Sequence, residues 1–540
     1  MSAGWIRDLR AGAPHGPLAP DVCVLGAGPV GLAFARALAS KGRRVVVMEI
    51  GGEKACAPAA PEAPAFDRRI YRGANLGRAI GLGGTSSIWG GQLLPVRPAD
   101  LLARTYINAP AWPVAHDEIE PYLQILQQWL GIDAAGFELG SMREPRHSLS
   151  GLNFTDWAPR LSKWIAFGRR NIATAWQHEF KRCSGVQVWL NAETQEWQFS
   201  GSTGNRAVRE IIARSDNGQA LRVHPKHIVI AAGAIESARI VLELNAAAGF
   251  LSTGVNQSAG RYLHDHVSVR IARVHRTDEA RFEEMFAPVF EGPTMRSLRM
   301  ELTPDVLNNE RLPALYAHFV AEAAVEGGFA VVRDCLRGAQ RRNLRELFAA
   351  AMRVPNALPD IIKIIQGRLI NRRLVFPGNS ELFLHVDFEQ APRRENRIYL
   401  DKSSDDARRP LRIDWELDAD VPTIARSVQC HFERFWKLNQ LGCVARLEFV
   451  DFGEASERWA HNIHDIYHPA GTTRMAVDPA EGVVDANLKI HGTSNAYVVG
   501  TSVFPSMGAA NPTFTAMGLA LRLADFIDRT GLMDRASQVA

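Results

Sequence analysis

The chain has 540 residues, 46% of them hydrophobic and 22% charged, with a formal net charge of +4. That length is too great for one compact core and predicts two large domains, or two interleaved ones. The near-neutral balance excludes a strong polyanion partner, so no nucleic acid is expected.

The first stretch, MSAGWIRDLRAGAPHGPLAP, lacks the apolar core of a secretory signal and has no twin arginine. No apolar run approaches the ~18 residues of a membrane-spanning helix. Cys23, Cys56, Cys183, Cys335, Cys430 and Cys443 stand outside any CxxC or CxxCH spacing. Zinc, haem attachment and dithiol chemistry are therefore not expected, and a reducing compartment is. The expectation is a cytoplasmic protein.

Residues 21–25 (DVCVL) read as a buried strand. Gly26-Ala27-Gly28-Pro29-Val30-Gly31 follows, then LAFARALASKG with helical apolar spacing and a stop at Gly42. Residues 44–48 (RVVVM) make a second buried strand that ends at Glu49. This is a βαβ unit with GxGxxG in its first turn. Gly26 permits the tight turn, Gly28 lets the backbone approach a pyrophosphate, and Gly31 lets helix and strand pack closely. Glu49, 23 residues after Gly26, stands where a carboxylate can accept hydrogen bonds from a ribose, and it would repel the 2′-phosphate of NADP.

The next glycine-dense segment is Gly81-Leu82-Gly83-Gly84-Thr85-Ser86-Ser87-Ile88-Trp89-Gly90-Gly91. Such a loop brings many backbone N–H groups to one ligand, with Thr85 and Ser86 adding hydroxyls. Ile88 and Trp89 are too apolar for a solvated linker. Further on, strand-like VQVWLNAETQEW (186–197) precedes HIVIAAG (227–233), an apolar strand ending at Ala232 and Gly233, and then the helix-like AIESARIVLELN. A strand with a small-residue turn suits close packing on a nucleotide.

Taken with the C-terminal motifs, these residues resemble the glucose-methanol-choline (GMC) oxidoreductases along most of the chain. GAGPVG with Glu49 looks like that family's ADP-binding unit, GLGGTSSIWGG like its flavin loop, and HIVIAAGAIESARIVL like its second signature. GRYLHDHVSV (260–269) and NRIYLD with RRPLRIDWELDADVPT resemble the segments that follow. The most specific part is YHPAGTTRM (467–475), VVDANLKIHGTSNAYVVGTSVFPS (483–506) and NPTFTAMGLALRLADF (511–526).

The resemblance implies an α/β fold. A Rossmann-like FAD-binding domain (17–105, 180–270 and 462–540) would interleave with a substrate domain of antiparallel sheet and helices (106–179 and 271–461). It implies FAD contacts from Gly26, Gly28, Gly31, Glu49, Gly83, Gly84, Thr85, Ser86, Trp89, Gly90, Ala232, Gly233, Gly500, Thr501, Asn511 and Thr513. It also implies hydride transfer from a CH–OH carbon to flavin N5, with His468 as general base and Asn511 holding the alkoxide. A neutral imidazole and a second polar group suit those roles.

Three positions depart from the common pattern. Gly500 stands where many members carry aspartate, Trp89 where many carry asparagine, and Ile88 where covalently flavinylated members carry histidine. The first two, with NPTFT, lean toward pyranose oxidases and sugar dehydrogenases. The third implies FAD held without a covalent bond. His264, His266, His461, His464 and His491 also lie in or near motifs and are read as structural.

The leading expectation is an FAD-dependent dehydrogenase acting on a sugar, glycoside or polyol-like alcohol, with a quinone or carrier protein as electron acceptor. The alternatives are an oxygen-using alcohol oxidase, a tailoring dehydrogenase on a natural-product intermediate, and a redox-inactive flavin-binding protein. The stretch 333–373 holds ten basic and three acidic residues and two apolar helical runs broken by Pro355 and Pro359. It reads as a lid or subunit contact first and as a membrane-surface element second.

Overall fold

The structure is a computed structural model. It describes residues 4–58, 71–142, 149–202, 204–248, 257–322, 327–340, 344–376, 380–401, 410–417, 420–453 and 463–539. The expected strand at 21–25 is Val22–Leu25, parallel to Val45–Met48 through the helix Pro29–Ala39. All eight strand residues are buried. Burial on both faces is why these strands are continuously apolar and do not alternate. The helix starts at Pro29, ahead of the apolar-spaced run. A proline at the first turn loses no hydrogen bond there and brings a preset φ.

The sheet has six parallel strands in the order Ile6–Asp8, Val186–Leu190, Val45–Met48, Val22–Leu25, His227–Ile230 and Ala496–Val498. The fold is thus α/β, with a Rossmann-like sheet beside antiparallel ones. The strand-like run 186–197 is two strands. Val186–Leu190 belongs to the parallel sheet, while Glu193–Ser200 pairs with Ala207–Arg214 in a separate three-stranded sheet. Asn191, at φ 53, turns the chain between them. Asparagine tolerates that left-handed conformation better than most residues.

A nine-stranded antiparallel sheet forms the second unit. Its central strands are His266–Arg276, Glu381–Glu389, Leu315–Glu322 and Thr294–Leu302, and Trp157–Trp164 joins them to Gln92–Leu93. Ile463–Asp465 adds to His266–Arg276. One face is apolar: Val267, Val269, Leu384, Val386 and Phe388 share a core with Val428, Phe432 and Trp436 of the helix Val421–Leu438. Residues two apart on a strand share a face. The opposite face therefore carries His266, Ser268, His385, Asp387, Glu389, Tyr316 and His318. It is polar yet largely buried, because it is turned toward the C-terminal loop: Glu389 accepts hydrogen bonds from the backbone of Met507 and Gly508.

Pro359 does not break the 333–373 region as its sequence implies. It lies inside the helix Val354–Leu369, and Pro355 sits in that helix's first turn.

Candidate active site

A cavity of about 1160 Å³ runs along the C-terminal ends of the parallel strands, the usual ligand position in an open α/β sheet. Gly26, Gly28 and Glu49 line it at one end and His468, Thr501 and Thr513 at the other. Thr85, Trp89, Gly90, Ala232, Gly233 and Gly500 line it between them, as does Gly84.

Two kinds of glycine build this wall. Gly26 (φ 106) and Gly31 hold the protein against itself: a Cβ would meet Ala231 O at 2.7 Å in the first case and Gly26 O at 2.1 Å in the second. Gly28, Gly233 and Gly500 line the cavity, yet a Cβ there would meet no protein atom. The space beside them is left open, as a ligand's close approach requires. Gly28 also begins the helix Pro29–Ala39 with no side-chain cap. The first N–H groups of that helix remain available to phosphate oxygens. These features fit a dinucleotide.

The glycine loop packs on the turn. A Cβ on Gly84 would meet Gly28 Cα at 2.9 Å, and Gly83 N donates to Ala27 O. Gly31, Gly83, Ser86 and Asn511 do not themselves line the cavity. Ser86 braces the loop: its Oγ donates to Gly83 O at 2.5 Å and accepts from Ile172 N at 3.1 Å. Trp89 is fixed by its Nε1–H, which donates to Arg170 O at 2.8 Å.

Glu49 does more than its strand-end position implies. Its carboxylate accepts from the N–H groups of Ala27 (2.8 Å), Gly51 (3.0 Å) and Gly81 (3.0 Å). It therefore ties the first turn, the loop after the second strand and the glycine loop together. Burial pushes its carboxyl up, against those three bonds. A carboxylate has about four lone-pair sites, so one remains for a ribose hydroxyl.

At the other end, His468 Nδ1 lies 3.0 Å from His266 Nδ1, and His266 Nε2 lies 2.7 Å from Gly508 O. A carbonyl only accepts, so His266 Nε2 carries the proton and its Nδ1 is a lone pair. His468 must then donate from Nδ1, which leaves its Nε2 as a basic lone pair. This tautomer follows from the network. Burial, followed by the neighbouring His266, pushes His468 down to about 3, so the imidazole is neutral.

Asp265 fixes both histidines. Its Oδ1 accepts from the backbone N–H of His266 at 2.7 Å and of His468 at 2.8 Å. Asp465 holds the backbone of Arg72 and Gly73 nearby. Burial and then Asp465 push Asp265 well above the usual carboxylate range, and burial raises Asp465 too.

Asn511 precedes Pro512, a cavity residue, and its buried Oδ1 has no hydrogen-bond partner among the described residues. His264 is structural: its Nδ1 donates to Tyr262 O at 2.7 Å. His491 is braced on Ala476 O, and His461 lies outside the described residues. His266 is the functional candidate the sequence reading missed. The signal was its place opening a strand of the polar sheet face. On that same face Asp387 Oδ1 and His385 Nε2 are buried without a hydrogen-bond partner among the described residues.

Residues 392–520 match the family model described as GMC oxidoreductase. The 6'''-hydroxyparomomycin C oxidase of Streptomyces lividus is 24% identical over 96% of this chain and 93% of its own. The paromamine 6'-oxidase of Streptomyces fradiae is 23% identical over 93% and 90%. The solved pyridoxine 4-oxidase from Mesorbium loti shares the fold at TM-score 0.58, with 16% identity, covering 94% of this chain and 98% of that one. Formate oxidase does so at TM-score 0.55 and 14% identity, covering 96% and 99%. The family model covers the segment that carries His468 and Asn511, and the open glycine-walled cavity that this segment helps to line fits a dinucleotide; over residues 392–520 the chain is similar to the GMC oxidoreductases.

Proposed function

We propose that the chain oxidises a CH–OH carbon of a hydroxylated small molecule, of sugar, glycoside or polyol type, to a carbonyl. The observation that carries this reading is the Gly508–His266–His468 chain at the cavity end. FAD, when bound, supplies the acceptor for the hydride that leaves the carbon. His468 Nε2 takes the hydroxyl proton, His266 keeps that nitrogen unprotonated beforehand, and Asn511 hydrogen-bonds the substrate oxygen. A base with a lowered pKa is not silenced by its own protonation at neutral pH.

The cofactor rests on the glycine turn, the glycine loop and Glu49, without a covalent bond, since Ile88 offers no nucleophile. The parallel sheet and the polar face of the nine-stranded sheet serve as cofactor and substrate sides; the segments 17–105, 180–270 and 462–540 supply most of the first and 106–179 and 271–461 most of the second, while Gln92–Leu93, the start of His266–Arg276 and Ile463–Asp465 cross into the antiparallel sheet. Asp387 Oδ1 and His385 Nε2, buried without a hydrogen-bond partner among the described residues, offer polar groups for substrate hydroxyls. The names of the two near-full-length relatives, acting on paromamine and hydroxyparomomycin C, support a polyhydroxylated substrate.

The acceptor has two readings. Trp89 and Gly500 lean toward sugar dehydrogenases and a quinone or carrier protein. The oxidase names of both near-full-length relatives favour oxygen. Anaerobic mixing of the purified protein with a panel of sugars, glycosides and simple alcohols tests the core reading. Bleaching of the flavin absorbance by a polyol is expected, and none with any alcohol would overturn it. Peroxide yield in air against turnover with quinone or dye then assigns the acceptor.

A further inference from the structure

The helical layer at 328–370 inverts the normal distribution of large and small side chains. It consists of Gly328–Gln340, Leu344–Ala351 and Val354–Leu369. Small residues let its helices pack closely on one another: Gly338 packs on Leu347 and Gly328 on Asp360, while Gly367 packs on Val375 and Ala330, Val331, Ala350 and Ala357 are buried. Its large apolar residues face out. Leu344, Phe348 and Met352 are 79%, 69% and 66% exposed. Leu358, Ile362, Ile365 and Leu369 are exposed too. The first three are spaced i, i+4, i+8 and the other four i, i+4, i+7, i+11, so each set forms one stripe along its helix. With Leu336 and Ile370, nine of the 17 large exposed apolar residues among the described residues fall in this one layer. Scattered apolar residues need no explanation, but a concentration of this kind marks an interaction surface.

Charge identifies the partner. Between Arg333 and Arg373 there are ten basic residues and three acidic ones. Asp334 is ion-paired with Arg333 and Arg353, and Asp360 accepts from Gly328 N. Exposed Arg345 and Lys363 adjoin stripe residues in sequence, and Arg337 and Arg372 are exposed in the same region. Apolar stripes flanked by arginine and lysine match the boundary between acyl chains and anionic headgroups. No helix of the described residues is long and apolar enough to cross a membrane, so the contact would be peripheral.

We propose that this layer docks the enzyme on anionic phospholipid membranes, with the stripes of Leu344–Met352 and Leu358–Leu369 in the interface and the basic residues over the headgroups. The FAD-loaded full chain is sedimented with phosphatidylcholine vesicles with and without phosphatidylglycerol, and its mass in solution is measured alongside. The chain should pellet with the phosphatidylglycerol vesicles. The double variants Phe348→Asp/Ile362→Asp and Arg345→Glu/Lys363→Glu should each cut the bound fraction by about tenfold or more. Both should keep wild-type FAD content and alcohol-driven flavin reduction, because all four side chains are exposed. Three results would overturn the proposal. One is absence of pelleting, another is pelleting indifferent to phosphatidylglycerol, and the third is a wild-type dimer without vesicle binding that Phe348→Asp/Ile362→Asp dissociates. The last would make the layer a contact between two copies of this chain.

Discussion

At the residue scale the histidine pair makes a graded prediction. His468→Ala should retain FAD and slow anaerobic flavin reduction by about 10²–10⁴, the usual worth of a positioned acid–base group. His266→Phe removes the acceptor for His468 Nδ1–H without touching the base itself. The imidazole then loses its fixed tautomer, and reduction should slow by about 10–100-fold, the range for groups that orient a reactive ligand. His266 also lowers the pKa of His468. The acid limb of the kcat/KM profile should therefore move to higher pH in the variant. An unchanged profile with an unchanged rate would remove His266 from the mechanism. Glu49 makes a second prediction. Because three backbone N–H groups converge on its carboxylate, Glu49→Ala leaves several buried donors unpaired at about 1–3 kcal/mol each. That variant should lose stability as well as FAD. Glu49→Gln keeps an acceptor oxygen and should fold while releasing FAD more readily, read as flavin fluorescence on dilution. Full retention in Glu49→Gln would show that its contact to the ribose is dispensable.

At the element scale, legibility followed locality. The βαβ unit was readable because each piece signals itself: doubly buried strands are continuously apolar, and the turn needs glycine where Gly26 and Gly31 crowd backbone atoms. The strand His227–Ile230 was readable for the same reason. The antiparallel sheet was expected only through the family resemblance, since its neighbours come from segments as far apart as Gln92–Leu93, Trp157–Trp164 and Thr294–Leu302. His266 was read as structural because its partner, His468, lies 202 residues away. His468 itself was found through a motif and not through spacing. The run 186–197 was read as one strand because β-like composition continues through Asn191, and only a positive φ divides it. The glycine loop carries its own prediction. Ile88, 43% exposed and on the cavity wall, has no lone pair to attack the flavin. Acid precipitation should leave the yellow colour in the supernatant. A coloured, washed pellet with an FAD-sized mass increase on the chain would contradict this.

At the scale of the whole molecule, the buried histidines make the fold acid-sensitive. His264 is pushed down to about 4, and His385 and His468 to about 3, burial being the first cause in each case. His266, His318 and His464 are lowered as well, again chiefly by burial. In the unfolded chain each takes up a proton near pH 6.5, its ordinary value. Between that pH and about 4 the unfolded state binds more protons, so stability is fully present above the unfolded value and falls as pH drops. Each such histidine contributes about 1.4 kcal/mol per pH unit across its window. Glu49, Asp265, Glu283, Glu301 and Asp465, raised by burial, act in the opposite sense, because the folded state takes their protons first. They oppose the histidines over part of the same range, but six lowered histidines outnumber them. The urea midpoint should therefore decline steadily from about pH 6.5 to 4.5, a window set by the shifted values above. His385→Asn should flatten the decline by about one proton's worth, and it leaves the Gly508–His266–His468 chain intact. A midpoint that is level or rising as pH falls through this range would mean that the buried carboxyls, and not the histidines, control the acid stability of the fold.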